Sequence, residues 1–439
     1  MSEKRPNLIW IMTDQQPAYM LSCNDDPNVH TPNIDYMAKV GVNFRNAVGG
    51  FPLCCPFRGS MLTSVYPHKC VRGHQFQLPP EMPTVAQPFR QAGYHTAYFG
   101  KWHLDGFRET LTQRAVFHVV PPERRGGFDE WVGYENNNSQ FDTWVHGGEG
   151  ENAFQYRLPG YETDSMTDLL LDYIDRQSQE QPFFAVMSVQ PPHDPYIAPA
   201  KYAFRFNPQQ LTLRPDVPHV GRVEALARQE LAGAYAMVEN MDDNVGRIMD
   251  KLQEKGMLDN TYLLFFSDHG DMHGSHGQFR KMTAYQESVN IPFVVMGAPN
   301  IYGHRCRPVP YPINHVDIAP TSLGLCGIPV PDWMEGTDYS GCYTQTAAEY
   351  PHSAFLQSVT PPGHGSSVDK PWRGLLTVDG WKYACFEDCT WMLYNLNEDP
   401  YEQANLAHDP DWKGKRRELL EELAGWIANT GDSFRLPNP

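Results

Sequence analysis

The segment Pro6–Gln15 reads PNLIWIMTDQ: an apolar run over Pro6–Met12, rich in branched residues, that stops abruptly at Thr13-Asp14-Gln15. A run that is apolar at every position suits a strand buried on both faces, and in parallel sheets polar residues at its carboxyl end lie where ligands bind. Working outward, Thr31-Pro32-Asn33-Ile34-Asp35 supplies an N-cap and then proline at the first helical position, so the spacing predicts a helix ending at Gly41. Val42–Val48 reads as a strand feeding the loop Phe51–Ser64, FPLCCPFRGSMLTS, in which Pro56 marks the first turn of another helix. Pro83–Ala92 reads as helical up to Gly93, and Tyr94–Phe99 as a strand running into Gly100-Lys101-Trp102-His103. Strand and helix alternating in this rhythm predict an α/β fold with a parallel sheet and crossover helices.

From Phe107 to Tyr161 the chain is rich in Gly, Asn, Pro and aromatics with little periodicity, as expected of a long excursion over a sheet edge. Trp131, Tyr134, Trp144 and His146 are its candidates to face a ligand, although loop aromatics more often pack locally. Ser165–Arg176 is amphipathic; Phe183–Val189 is a strand ending in Gln190-Pro191-Pro192-His193. The longest helix is expected over Glu224–Lys255, with Leu231, Tyr235, Val238, Met241, Val245, Ile248 and Leu252 along one face. Strand Thr261–Phe266 runs into Ser267-Asp268-His269-Gly270, and Pro292–Met296 is a further strand. Beyond Leu323 the pattern changes. Leu375–Val378 and Trp381–Phe386 form a hairpin through Asp379-Gly380, Met392–Leu396 adds a third strand, and Arg417–Ile427 closes the chain as a helix. The expected division is a main unit over 1–350 and a small antiparallel α+β subdomain over 351–439.

A formal charge of -17 over 439 residues argues against nucleic-acid and anionic-membrane partners, so an anionic substrate must be held by a local cluster of Arg, Lys and His. The apolar run at Leu8–Met12 is too short for a signal-peptide core, and no segment approaches the roughly 20 apolar residues of a membrane span. The cysteines (Cys23, Cys54, Cys55, Cys70, Cys306, Cys326, Cys342, Cys385, Cys389) are odd in number and show no disulfide or zinc spacing. Reduced thiols and a cytoplasmic protein are expected.

Four strand ends carry polar residues that strands do not otherwise favour: Asp14-Gln15, Lys101 with His103, His193, and Asp268-His269. Singly, each has an ordinary explanation as a helix cap or a surface histidine; together, on one predicted edge, they mark a site. Asp14, Gln15, Asp268 and His269 form a mostly oxygen donor set, suited to calcium or magnesium, with the imidazole leaving manganese or zinc open. Arg58, Lys101 and Lys281 supply positive charge, and His103 and His193 are hydrogen-bond donors or proton carriers. A divalent cation ringed in this way is a receptor for a tetrahedral oxyanion. Cys54, expected at a helix N-terminus, reads three ways: an activated thiolate, a neighbour of the bound oxyanion, or a small buried hydrophobe. His273, His276 and His315 are expected to be structural.

Cys54-Cys55-Pro56-Phe57-Arg58, followed by Leu62-Thr63, resembles the signature of the type I sulfatases, in which the first cysteine is oxidised to formylglycine. Gly100-Lys101-Trp102-His103, Pro192-His193, Ser267-Asp268-His269-Gly270-Asp271 and Lys281 resemble that family's other motifs, in its order, so the likeness runs from residue 7 to about residue 345. The resemblance implies an alkaline phosphatase-like fold, a large mixed, mostly parallel sheet between helices with a smaller C-terminal sheet. It also implies hydrolysis of a small aryl, alkyl or sugar sulfate. Asp14, Gln15, Asp268, His269 and an oxygen on modified Cys54 would hold the cation, calcium first, with magnesium or manganese as alternatives. Arg58 would steady the formylglycine, Lys101, His193 and Lys281 would grip sulfate and leaving-group oxygens, and His103 would contact the second hydroxyl of the hydrated aldehyde. One hydroxyl would attack sulfur and expel the alcohol; loss of a proton from the other, to His103, would return the aldehyde and release sulfate, while His193 or Lys281 protonates the leaving alkoxide. A formylglycine-generating maturation enzyme is the implied partner. Three positions depart from the family pattern: Phe57 replaces a small residue, Ser64 replaces a frequent glycine, and Gln15 replaces a frequent second aspartate. Asp-Gln also resembles the related phosphonate monoester and phosphodiester hydrolases, which makes that activity the alternative; a silent anion-binding protein is a third reading.

Overall fold

The run at Asn7–Thr13 forms strand β1, buried at every residue, in a computed structural model that describes residues 5–297, 309–346, 348–361, 363 and 368–438. Cys306 lies outside the described residues. The sheet continues with β2 (Val42–Asn43), β3 (His95–Lys101), β4 (Glu130–Tyr134), β5 (Trp144–Gly147), β6 (Phe154–Arg157), β7 (Phe183–Ser188), β8 (Thr261–Ser267) and β9 (Phe293–Met296). Its order is β2-β9-β8-β1-β7-β3-β4-β5-β6. The five central strands, β8-β1-β7-β3-β4, are mutually parallel, and antiparallel pairs finish both margins. A mixed, mostly parallel sheet between helices is therefore what the chain forms.

Alternate residues of β1 feed two apolar layers, as a strand's two-residue period requires. Leu8, Trp10 and Met12 pack with Cys55, Phe57, Met61 and Leu62 on one face; Ile9 and Ile11 pack with the expected stripe of the helix Gly221–Glu254 on the other. Three further helices place the site: α1 (Pro32–Val40), α2 (Cys54–Thr63) and α3 (Ala86–Gln91). Thr31 stands at the N-cap of α1 without a side-chain capping bond; Asp242 does that work, accepting from the N–H groups of Asn33 and Ile34. The helix expected over Pro83–Ala92 is shorter, Ala86–Gln91.

Two expectations need correction. Val42–Val48 is a strand only at Val42–Asn43, because Ala47 N–H turns back to Phe44 O and Val48 makes isolated bridges to Asn290 and Asn314. The excursion over Phe107–Tyr161 is not structureless: β4, β5 and β6 add three strands to the sheet. Trp131, Tyr134 and His146 are buried there, and Trp144 is half-buried.

A second sheet, β10 (Ser353–Ser358), β11 (Trp372–Thr377), β12 (Trp381–Cys385) and β13 (Thr390–Asn395), is antiparallel in chain order; β10 is the strand absent from the sequence reading. Phe355, Leu375, Tyr383 and Leu393 pack under Leu419 and Leu423 of the closing helix Lys413–Thr430. The opposite face, with Leu356, Trp372 and Leu376, packs on Val48, Ala284 and Val289 of the main sheet's loops. Among the described residues no helix is long and apolar enough to cross a membrane.

Candidate active site

Parallel pairing of β1 with β8 and of β3 with β7 sets Thr13 beside Ser267 and Gly100 beside Ser188, so the polar residues that end these strands meet on one edge. Gly100 is required there: at φ 108° a Cβ would lie 1.9 Å from Ser188 O. Helix α2 points its first turn at the same edge. Leu53, in extended conformation, precedes it without a side-chain cap, which puts Cys54 at the first helical position and Arg58 one turn further on the same side.

Cys54 Sγ is 3.1 Å from His269 Nε2 and 3.6 Å from Asp14 Oδ1. His269 Nε2 is 3.6 Å from Asp14 Oδ1 and 3.5 Å from Asp268 Oδ1, and its Nδ1 donates to Gly270 O at 3.0 Å, which turns the Nε2 lone pair toward Cys54 and the carboxylates. Donor atoms of Asp14, Cys54, Asp268 and His269 all lie within 4.8 Å of one another, and all four residues are buried. Two carboxylates and one imidazole in this arrangement fit a divalent cation.

The outer oxygens are already satisfied. Asp14 Oδ2 accepts from Arg58 Nη2 at 3.0 Å and from Lys101 Nζ at 2.7 Å, and Asp268 Oδ2 accepts from Arg58 Nη2 at 3.3 Å. Arg58 Nη1 donates to Lys101 O and to Ser188 Oγ. Burial opposes the charge of Asp14, yet Lys101, His193 and Arg58 hold its carboxyl well below the usual range. Burial and the neighbouring Asp14 carboxylate push Asp268 up to about 7. Two adjacent carboxyls in a dry site do not both ionise freely unless a cation joins them. Burial, then Asp14, pushes the Cys54 thiol up to about 12.

Gln15 adopts a left-handed backbone, φ 66°, and its amide is gripped on both sides. Nε2 donates to Asp271 Oδ2 at 2.7 Å and to Asp194 Oδ1 and Tyr196 Oη at 3.1 Å, while Oε1 accepts from Lys281 Nζ. Lys281 Nζ is 2.9 Å from His193 Nε2, and His193 Nδ1 donates to Asp194 O at 2.7 Å. That network assigns His193 an acceptor at Nε2, and burial followed by the Lys281 ammonium holds it down at about 4. His103, φ 55°, is buried beside His74 and Cys55, and its Nδ1 receives no hydrogen bond; burial and Lys101 keep it well below the ordinary histidine value.

Every residue expected at the site lies in this region, with His103 standing against Cys55 rather than in the hydrogen bonds around Asp14. Sequence reading missed Ser188, Asp194, Tyr196 and His74. Asp194-Pro195-Tyr196, directly after the strand-end histidine, was the available signal for two of them. The departures also find partners: Phe57 is fully buried and stacks on His315 with ring centroids 5.1 Å apart, and Ser64 occupies a left-handed C-cap, φ 55°, donating through Oγ to Val316 O.

A family model described as Sulfatase matches residues 6–328, and one described as N-sulphoglucosamine sulphohydrolase, C-terminal, matches residues 274–429. Relatives include an ulvan-active sulfatase of Formosa agariphila, 34% identical with 98% of this chain and 83% of that protein covered. An arylsulfatase of Clostridium perfringens is 28% identical, with 96% and 95% covered. The crystal structure of yidJ from Bacteroides fragilis superposes with TM-score 0.88 at 26% identity, covering 99% and 98%. The phosphonate monoester hydrolase of Agrobacterium radiobacter shares the fold, with TM-score 0.78 at 21% identity over 97% and 96%.

Proposed function

The chain belongs to the sulfatase family and is a sulfuric ester hydrolase, and on that premise we propose that it hydrolyses a sulfate monoester of a sugar, using formylglycine made from Cys54 and one divalent cation, calcium ahead of magnesium or manganese. The observation that carries the reading is the convergence of Asp14, Cys54, Asp268 and His269 around one point, with Arg58 and Lys101 bound to the outer carboxylate oxygens. Gln15 would add its side-chain oxygen, which accepts from Lys281 in the structure, to the cation, its amide being oriented by Asp271 and Tyr196. The cation, when bound, supplies charge that makes a hydroxyl of the hydrated aldehyde more acidic.

The chain's own groups do the rest. Arg58 holds Asp14 and Asp268 in place from behind, which fixes the base on which Cys54 sits. Lys101 and Lys281 present ammonium groups to the sulfate oxygens. His193, neutral and accepting at Nε2, leaves the mobile proton on the Lys281 side of the pair, so Lys281 is the donor to the departing alkoxide and His193 orients it. His103, neutral with a bare Nδ1, is the acceptor for the proton lost when sulfate leaves.

Support for a sugar comes from the relative named N-acetylglucosamine-6-O-sulfatase of Bacteroides thetaiotaomicron, while the arylsulfatase relative keeps an aryl sulfate as the alternative. The eight described cysteines are all free, which supports a reducing, cytoplasmic setting, and the start of the second sheet at Ser353 supports a division at 350/351. Mass spectrometry of the Cys54 peptide, from a host with the maturation enzyme, tests the mechanism: aldehyde is expected, and unmodified cysteine alone would end it. Asp14-Gln15 and the shared fold favour phosphonate monoesters or phosphodiesters as the second reading. Paired nitrophenyl esters separate the two, and a preference of orders of magnitude for phosphorus would overturn the sulfatase assignment.

A further inference from the structure

Asp216, His276 and Glu287, two buried and the histidine half-buried, form a second cluster that shares no residue with the site around Cys54. They come from the loop before the helix Gly221–Glu254, the loop after β8, and the helical turn Gln286–Val289. One donor atom from each lies within 4.8 Å of the other two. The side chains of Asp216 and Glu287 are 0% and 1% exposed. Both carboxylate oxygens of Asp216, Oε2 of Glu287 and Nε2 of His276 are buried with no partner N–H, the Asp216 carboxyl lying in hydrogen-bond reach of the Glu287 carboxyl. Buried polar atoms are rarely left so, and two carboxyls facing an imidazole ask for a proton or an ion between them.

The geometry says what kind. His276 N–H donates to Asp216 O at 2.9 Å and the ring stacks on Tyr285, which leaves Nε2 3.7 Å from Asp216 Oδ2. That is too long for a hydrogen bond, yet two donors each about 2.0–2.2 Å from one ion lie within about 4.4 Å of each other. Charge agrees. Among the described residues Arg214 is the cation ion-paired with both carboxyls, 2.6 Å from Glu287 Oε1 and 3.6 Å from Asp216 Oδ1, while the nearby Lys382 is paired with Glu402. With both carboxyls ionised one negative charge is left over, and Asp399 adds its field at His276. A cavity of about 690 Å³, lined by Arg214, Pro215, Glu287 and Tyr401, opens beside the cluster as a route in.

We propose that Asp216, His276 and Glu287 bind a second divalent cation, of the zinc or manganese type that mixed imidazole and carboxylate donors select. The ion ties the Asp216 loop to the segment that carries Arg280 and Lys281, and so has a structural role. This goes beyond the sulfatase reading and does not depend on it.

Metal content of the full-length chain is the test. Protein stripped with chelator, reloaded with excess calcium plus zinc and passed through gel filtration is expected to carry one calcium and one zinc per chain. Asp216→Asn keeps a donor toward Glu287 in place of the shared carboxyl proton, and is expected to keep the calcium and lose the zinc; His276→Leu should do the same. Zinc should raise the thermal midpoint of the wild type and leave that of Asp216→Asn unmoved. A wild type that holds no zinc would mean a proton shared between the two carboxyls and would overturn the proposal, as would an Asp216→Asn chain that still holds zinc. Absence of calcium would count against the proposed active site instead.

Discussion

Helix α2 carries two rows of side chains held by different physics. Cys54 and Arg58 face the sheet edge, where position is fixed by ion pairs at 3.0 and 3.3 Å that close in both directions, so that no member moves alone. Phe57 and Met61, also one turn apart, face the apolar layer under β1, where position is fixed by volume. The difference explains which row accepts substitution. A charge row loses its partners' compensation when one member changes, whereas a core row accepts a large residue if the opposite wall is shaped for it, as His315 is for Phe57.

The comparison breaks first at Cys54. Cys54→Ala removes the proposed nucleophile's precursor and is expected to lower kcat/KM by about 10⁴-fold or more, with the unfolding midpoint nearly unchanged; rates on an aryl sulfate and a urea titration check both halves. Arg58→Met should cost about 3–5 kcal/mol of stability, because Asp14 and Asp268 are left buried with Lys101 as their remaining cation; equilibrium urea unfolding measures it. Phe57→Ser, which restores a small residue, should cost about 3 kcal/mol through the cavity beside His315 while leaving activity per folded, aldehyde-bearing chain intact.

A pH series sharpens the core row. Burial pushes His315 down to about 3, so between about 6.5 and that value the unfolded chain binds a proton that the native chain refuses. The stability this group contributes is full above about 6.5 and is lost as pH falls through the window. Phe57→Ser admits water to the ring and should flatten that slope in denaturation midpoints taken across it. The smallest effect is expected from Ser64→Gly: relief of the left-handed backbone offsets loss of the Oγ bond to Val316 O, and the midpoint should shift by no more than about 1 kcal/mol.

Much of this was readable in advance where local pattern and global position coincide. β1, β3, β7 and β8 have apolar centres because both faces are covered, and each ends in or runs into polar residues that no strand interior would keep, so four ends pointed to one edge. The rest depends on partners far along the chain. Ser188 is visible only as the acceptor for Arg58, 130 residues earlier, and Phe57 only against His315. β4 and β5 escaped because Gly133 and Gly147, which let strands approach closely, interrupt the alternation that marks a strand. Val42–Val48 misled in the other direction: its composition favours a strand, but a turn at Phe44–Ala47 intervenes.

The burial of Cys54, 3% exposed beneath the ends of β1 and β8, has a consequence in time. An enzyme that oxidises this thiol has to reach it before the sheet closes, and the sheet cannot close until the ribosome has made β8, which ends at Ser267. At about 5–20 residues per second, synthesis from Cys54 to that point takes roughly 10–40 s. For the proposed maturation, the aldehyde content of a preparation is therefore a kinetic yield, a race between oxidation and translation. Slowing synthesis should raise the specific activity of the protein without changing a single residue.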